Sequence, residues 1–88
     1  MQQNQPDVNE IKRAICLALN LDPENPPVSV IDKDAAKALE IKVGTLSVWR
    51  SIGRNNLPYL KIGRLVRYRI DDLAVFIARR TYNHTGEI

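Results

Sequence analysis

The chain has 88 residues, a formal net charge of +3 and a single cysteine, Cys16. This length allows one domain with a modest core, which excludes most enzymes that need a deep pocket. The lone cysteine excludes an internal disulfide, and no stretch approaches the roughly 18 apolar residues that a membrane-spanning helix needs.

The charge is distributed unevenly along the chain. Residues 1–32 hold two basic and five acidic side chains, a balance of −3, whereas residues 33–88 hold eleven basic and five acidic ones, a balance of +6. Between residues 42 and 69 there are seven Lys or Arg and no Asp or Glu. This asymmetry predicts a polyanionic partner for the second half of the chain. The alternative is a solvated basic face with no dedicated partner.

The first predicted element is an amphipathic helix within residues 1–22. Asp7 is its candidate N-cap and Glu10 the capping-box partner, and apolar residues recur at helical spacing over residues 8–19. This helix either packs on the rest of the domain or forms a dimer or partner contact. The three prolines within residues 23–29 predict an extended linker after it.

Two short helices are predicted after the linker. Asp32 is the candidate N-cap of the first helix. The second is predicted over residues 43–52, with Leu46 and Trp49 pointing inward and Gly53 ending it. Two short helices joined by a tight turn, the second exposing small polar side chains, are typical of a helix-turn-helix.

A β-hairpin is predicted next. Residues 59–62 and 66–69 alternate in polarity around Gly63, where a tight turn needs a positive φ angle. We expect the apolar residues of both runs to face the core: Leu60, Ile62, Val66 and Tyr68. We expect the cations to face solvent, one of them at the tip of the turn: Lys61, Arg64, Arg67 and Arg69.

A last helix is predicted after the hairpin. Asp71 is its candidate N-cap, and Leu73, Phe76 and Ile77 form its apolar face. Residues 81–88 are predicted to be a disordered tail.

No pattern in the sequence indicates catalysis. The sole histidine, His84, lies far from the sole cysteine, so no metal site is expected. The sequence has no Gly-rich phosphate-binding loop and no nucleophile motif. The adjacent carboxylates of Asp71 and Asp72 are better explained by a helix N-terminus than by acid–base chemistry. We therefore expect neither enzyme activity nor a cofactor.

A set of short motifs in a fixed order links the chain to a known family. They are Ala35-Ala36, Thr45-Leu46, Trp49, Leu57-Pro58, Lys61-Ile62-Gly63-Arg64, Val66-Arg67-Tyr68, Asp71-Asp72-Leu73 and Phe76. With these motifs, residues 31–77 resemble the excisionase and AlpA-like helix-turn-helix proteins, which are related to the MerR regulators. The resemblance implies a mostly α fold with a small β-hairpin: a winged helix-turn-helix over residues 30–80, with the N-terminal helix as an addition.

The resemblance also implies a function. The second helix would enter the major groove of double-stranded DNA, and the hairpin would lie as a wing along the backbone or minor groove. Such proteins act as excisionase-like architectural factors or transcription regulators in phages and mobile elements, in DNA recombination with an integrase as a partner. We accordingly expect a cytoplasmic, nucleoid-associated bacterial protein with no membrane contact. One module buries only about 600–1,000 Å² on DNA, so we expect self-association through helix 8–19 or on adjacent DNA sites.

Candidate DNA-binding residues follow from these motifs and from the charge pattern. Those of the second helix are Lys42, Gly44, Thr45, Ser47, Val48, Arg50 and Arg54. Those of the wing are Lys61, Arg64, Arg67 and Arg69, of which Arg64 is the best candidate for insertion into a narrow minor groove.

The second helix departs from the family at its exposed face. Relatives often carry two or more basic residues there, whereas this chain has Ser47 and Val48. Val48 or Thr45 could contact a thymine methyl group, and Ser47 could bond a base edge or a phosphate.

Two other functions remain open for this sequence. One is a protein-interaction adaptor that keeps the fold without strong DNA affinity, which the uncharged side chains at positions 47 and 48 favour. The other is a packaging protein similar to the small subunit of a phage terminase, which can share this domain.

Overall fold

The structure, a computed structural model, describes residues 7–81, and within them it contains four α-helices and a three-stranded antiparallel sheet. The helices are α1 (Val8–Ala18), α2 (Asp32–Leu39), α3 (Val43–Ile52) and α4 (Ile70–Arg79). The strands are β1 (Ser29–Ile31), β2 (Leu60–Ile62) and β3 (Leu65–Arg69), in the order β1-β3-β2. The mixed α/β fold therefore has one strand more than the predicted hairpin.

Helix α1 begins as predicted and packs on the rest of the molecule. The Asp7 carboxylate caps it by accepting a hydrogen bond from the Asn9 N–H at 2.9 Å. Among the hydrogen bonds of residues 7–81, the Glu10 carboxylate accepts none from the Asp7 N–H, and Asp7 caps Asn9 rather than Glu10, so the cap forms without the predicted capping box. Ile15 and Cys16 are buried, and α1 lies against α4.

One hydrophobic core draws on every helix and on two of the strands. Its buried members are Ile15, Cys16, Val30, Ala35, Ala36, Leu46, Tyr68, Ile70, Leu73 and Ala74. The predicted inward orientation of Leu46 and Trp49 is confirmed, and the Trp49 ring lies 5.8 Å from the Phe76 ring. Full burial of a Leu or Ile side chain contributes roughly 1.5–3 kcal/mol, so this shared cluster holds α3 and β3 in place.

The predicted N-caps of α2 and α4 are wrong. Asp32 is the first residue of α2, after Ile31 at the N-cap, and α4 begins at Ile70, after Arg69 at the N-cap. Strands β1 and β3 run directly into these helices, so the strand backbone already has the extended conformation of an N-cap. Asp32 and Asp71 lie in the first turns instead, where a negative charge favours the helix dipole.

Two glycines have the left-handed backbone that the sequence predicts. Gly53 ends α3 with φ 67°, and Gly63 occupies the hairpin turn with φ 61°. Glu40 ends α2 in the same conformation, with φ 59°, although a side chain disfavours it.

The predicted phase of the hairpin is wrong for β2. The two-residue turn, Gly63-Arg64, places Lys61 opposite Val66 and Leu60 opposite Arg67. Directly opposed residues share one face of an antiparallel sheet, so Leu60 and Ile62 lie on the outer face and Ile62 is exposed. Lys61 lies instead on the inner face, the face of Val66 and Tyr68.

No strand was predicted between the linker and the two short helices, yet β1 forms there. It pairs with β3, with Val30 opposite Tyr68, and begins at Ser29, the last residue of the predicted linker. The predicted tail lies outside the described residues except for Thr81. None of the helices within residues 7–81 has the length and apolar character needed to cross a bilayer.

Candidate nucleic-acid interface

Helix α3 buries one side and exposes the other. Leu46 is fully buried, and Trp49 and Thr45 are half-buried. The residues on the opposite side are exposed and uncharged: Gly44, Ser47, Val48 and Ser51. Of the seven candidates predicted for this helix, three therefore lie together on its outward face, namely Gly44, Ser47 and Val48.

Arg50 is not a free cation on this face. Its guanidinium donates a hydrogen bond to the Tyr68 hydroxyl at 2.9 Å and lies 3.9 Å from the Asp32 carboxylate, and only 18% of its side chain is exposed. It also lies over the Tyr59 ring, 5.8 Å from the ring centroid, within the range of a cation–π contact. Arg50 thus ties α3 to β3 and to the start of α2.

The C-terminal end of α3 lies beside the residues that lead into β2. The Tyr59 and Tyr68 rings are 6.2 Å apart. A small cavity of about 130 Å³ between these elements is lined by Arg54, Leu57 and Tyr59, among others. Arg54 is exposed at its rim, so it lies on the side of the molecule where the hairpin meets α3.

Two of the four cations predicted for the wing have partners within the protein. Arg67 donates hydrogen bonds to the Ser29 hydroxyl at 2.8 Å and to the Ser29 carbonyl at 2.9 Å, and it is half-buried rather than fully in solvent. Arg69 pairs with Asp72 at 3.2 Å, an exposed contact that contributes little stability. Arg67 therefore fastens β3 to β1.

Four of the predicted cations remain exposed without an ion-pair partner among residues 7–81: Lys42, Arg54, Lys61 and Arg64. Lys42 occupies the N-cap position of α3, and Arg54 follows its C-cap. Lys61 shares the inner sheet face with Tyr68, whose hydroxyl meets Arg50 of α3. The hairpin thus carries Lys61 on the sheet face whose Tyr68 meets α3, and it carries Arg64 in its turn.

Two further ion pairs lie away from α3 and the hairpin. Asp71 pairs with Lys12 at 2.7 Å, and Glu24 pairs with Arg13 at 3.3 Å. These pairs lie on α1, the start of α4 and the loop after α1. Among residues 7–81, two of the six cations from α3 through β3 lie near carboxylates, Arg50 and Arg69, so this segment keeps a positive balance.

Sequence reasoning missed the partners of Arg50 and Arg67. Asp32 was interpreted as a cap, Ser29 as part of a linker, and Tyr68 as a residue that faces the core. Contacts between residues far apart in the chain, such as the hydrogen bonds from Arg67 to Ser29, leave no local pattern in the sequence. The alternation of Val28 to Ile31 was the one available signal that a third strand could be present.

Within the described part of the chain, no three His, Cys, Asp or Glu side chains are grouped so that they could hold a metal ion.

No family model, curated protein or solved structure was found to match this chain.

Proposed function

We propose that this protein is a winged helix-turn-helix that binds double-stranded DNA in a sequence-specific manner. In this proposal α2 and α3 are the helix-turn-helix, α3 enters the major groove, and the β2–β3 hairpin is the wing. The order of elements supports it, because a tight turn separates α2 from α3 and the hairpin follows α3 directly.

The observation that carries the proposal is the set of exposed, unpaired cations around α3. Lys42 and Arg54 stand at the two ends of α3, and Lys61 and Arg64 are exposed on the hairpin that follows it, with Lys61 on the sheet face whose Tyr68 meets α3. Phosphate contacts from Lys and Arg supply most non-specific DNA affinity. The partly buried Arg50 would instead hold α3 at a fixed distance from β3, and Arg67 would fasten β3 to β1.

The biological role within this proposal comes from the family resemblance. An excisionase-like architectural factor or a transcription regulator of a phage or mobile element fits it best, with an integrase as a candidate partner. A role similar to a terminase small subunit also requires DNA binding. Neighbouring genes separate these roles, because an integrase gene favours excision and a large packaging ATPase gene favours the terminase role.

The test of DNA binding is a gel-shift titration of the full chain on duplex DNA at several salt concentrations. We expect an affinity that falls steeply with salt, because bound phosphates release counterions. Lys61→Ala combined with Arg64→Ala should reduce the slope of log K against log salt by about 0.9 for each phosphate that the variant no longer neutralises.

The matched control is Arg13→Ala combined with Arg79→Ala. It removes the same charge from exposed sites on α1 and α4. We expect its salt slope to equal that of the unmodified protein. If both double variants had the same salt slope, the hairpin would not contact the phosphates. Weak binding that does not depend on salt would reject the proposal of DNA binding itself.

A protein-interaction adaptor is the second candidate, and one observation favours it. The outer face of the sheet exposes Ile62 and Leu65, which are directly opposed at the hairpin end. An apolar pair on a small domain is a candidate protein contact. Salt-independent, weak DNA binding in the titration above would favour this function.

A further inference from the structure

The outward face of α3 carries apolar side chains where a solvent-facing helix normally carries charge. Val48 and Ile52 are 54% and 58% exposed. Ser47 and Ser51 lie beside them on this face and are also exposed. The core does not explain these residues, because the helix turns Leu46 inward on its opposite side.

Cations stand at both ends of this uncharged face. Lys42 precedes the ten-residue helix and Arg54 follows its C-cap, so about 15 Å of helix axis lies between them at a rise of about 1.5 Å per residue. A major groove about 12 Å wide has phosphates along both edges and uncharged base edges at its floor. The outward face of α3 matches this arrangement, because cations stand at its two ends and the side chains between them are uncharged.

Among the base edges in the major groove, the 5-methyl group of thymine is the apolar feature. An isopropyl side chain gains free energy by covering a methyl group and gains little over the polar edges of guanine or cytosine. Hydroxyl groups both donate and accept hydrogen bonds, so Ser47 and Ser51 can hydrogen-bond to the edge of any base pair.

We propose that α3 selects thymine-containing base pairs, with Val48 in contact with the 5-methyl group. This inference rests on the proposed DNA-binding function and adds the class of base pair that α3 reads. Val48 is the central residue because it lies on the outward face together with Gly44, whose lack of a side chain leaves room for the groove floor to approach.

The test uses duplexes selected from a random library with the full chain. Each thymine of the selected duplex is replaced in turn by uracil, which removes the methyl group and keeps the base pair. We expect uracil at one or more positions to weaken binding about fourfold, the worth of one buried CH₂ group. In Val48→Ala this preference for thymine should fall below about twofold, because the side-chain methyl groups that cover the thymine methyl are removed.

The control is Val75→Ala, the same substitution at an exposed valine of α4. It should keep the full preference for thymine. Both sites are exposed and helical, and alanine is a better helix former than valine, so both variants should fold.

Two results would overturn the inference: uracil has no effect at any position, or Val48→Ala keeps the preference of the unmodified protein. If salt-dependent duplex binding persists in either case, the proposed DNA-binding function stands without this inference. If no duplex is bound in a salt-dependent way, both fall.

Discussion

At the scale of single residues, the arginines divide into two kinds. Arg50 and Arg67 are partly buried and donate to Tyr68 and Ser29, whereas Arg54 and Arg64 extend into solvent. A charged donor bonded to a partly buried acceptor contributes more than an exposed ion pair. The amino-acid composition does not distinguish these four arginines, so only their contacts show which of them join elements and which extend into solvent.

Replacing Arg50 with methionine should therefore destabilise the fold. The change keeps the aliphatic part of the side chain but leaves the Tyr68 hydroxyl buried without its donor. We expect the free energy of unfolding to fall by about 1.5–3 kcal/mol, measured by urea denaturation. Arg54→Met, at an exposed site, should stay within about 0.5 kcal/mol of the unmodified protein.

Tyr68→Phe completes a double-mutant cycle with Arg50→Met. The double variant should lose less stability than the two single variants together, because each change alone removes the same hydrogen bond. Strict additivity would show that this hydrogen bond contributes nothing to stability.

At the scale of elements, two glycines lie at the two ends of α3 and have different backbone conformations. Gly53 turns the chain out of the helix with a positive φ angle, while Gly44 lies inside the first turn with helical geometry. A Cβ atom at either glycine would meet no heavy atom within 4 Å. The effect of a substitution at either position on the free energy of unfolding therefore comes from the backbone conformation alone.

We expect Gly53→Ala and Gly44→Ala to change stability in opposite directions. Gly53→Ala should lower the free energy of unfolding by about 1–2 kcal/mol, since a side chain disfavours the left-handed conformation. Gly44→Ala should raise it by up to about 0.5–1 kcal/mol, because alanine loses less backbone entropy in a helix. Thermal unfolding monitored by circular dichroism measures both, and equal shifts would contradict this account of the α3 C-terminus.

At the scale of the whole molecule, α1 belongs to the same core as the other helices. Ile15 and Cys16 of α1 are buried together with Leu73 and Ala74 of α4. The salt bridge from Lys12 to Asp71 lies at the same junction. Of the two roles expected for this helix, packing on the domain is therefore observed.

Truncating Ile15 should accordingly destabilise the entire protein. Ile15→Ala removes a side chain that is 4% exposed, and we expect a loss of about 2–4 kcal/mol in one cooperative transition. Leu17→Ala on the exposed side of α1 should change stability by less than about 0.5 kcal/mol. Unfolding of α1 ahead of the rest in the unmodified protein would contradict a shared core.

Local pattern in the sequence predicted the helices and the two glycine turns. Leu46 and Trp49 recur at the spacing of one helix face, and only glycine readily adopts the backbone required at positions 53 and 63. The clustering of positive charge between residues 42 and 69 was likewise visible in the sequence.

Tertiary structure alone decided the third strand, the face on which each residue of β2 lies and the partners of the arginines. Pairing between β1 and β3 joins residues about 40 positions apart, as in Ser29 opposite Arg69, and no local periodicity records such a pairing. The phase of β2 depends on the exact number of turn residues, because one residue more or fewer moves every side chain to the other face. Packing between distant elements decides whether Arg50 faces a ligand or a tyrosine. The secondary-structure propensities of the residues do not encode such packing.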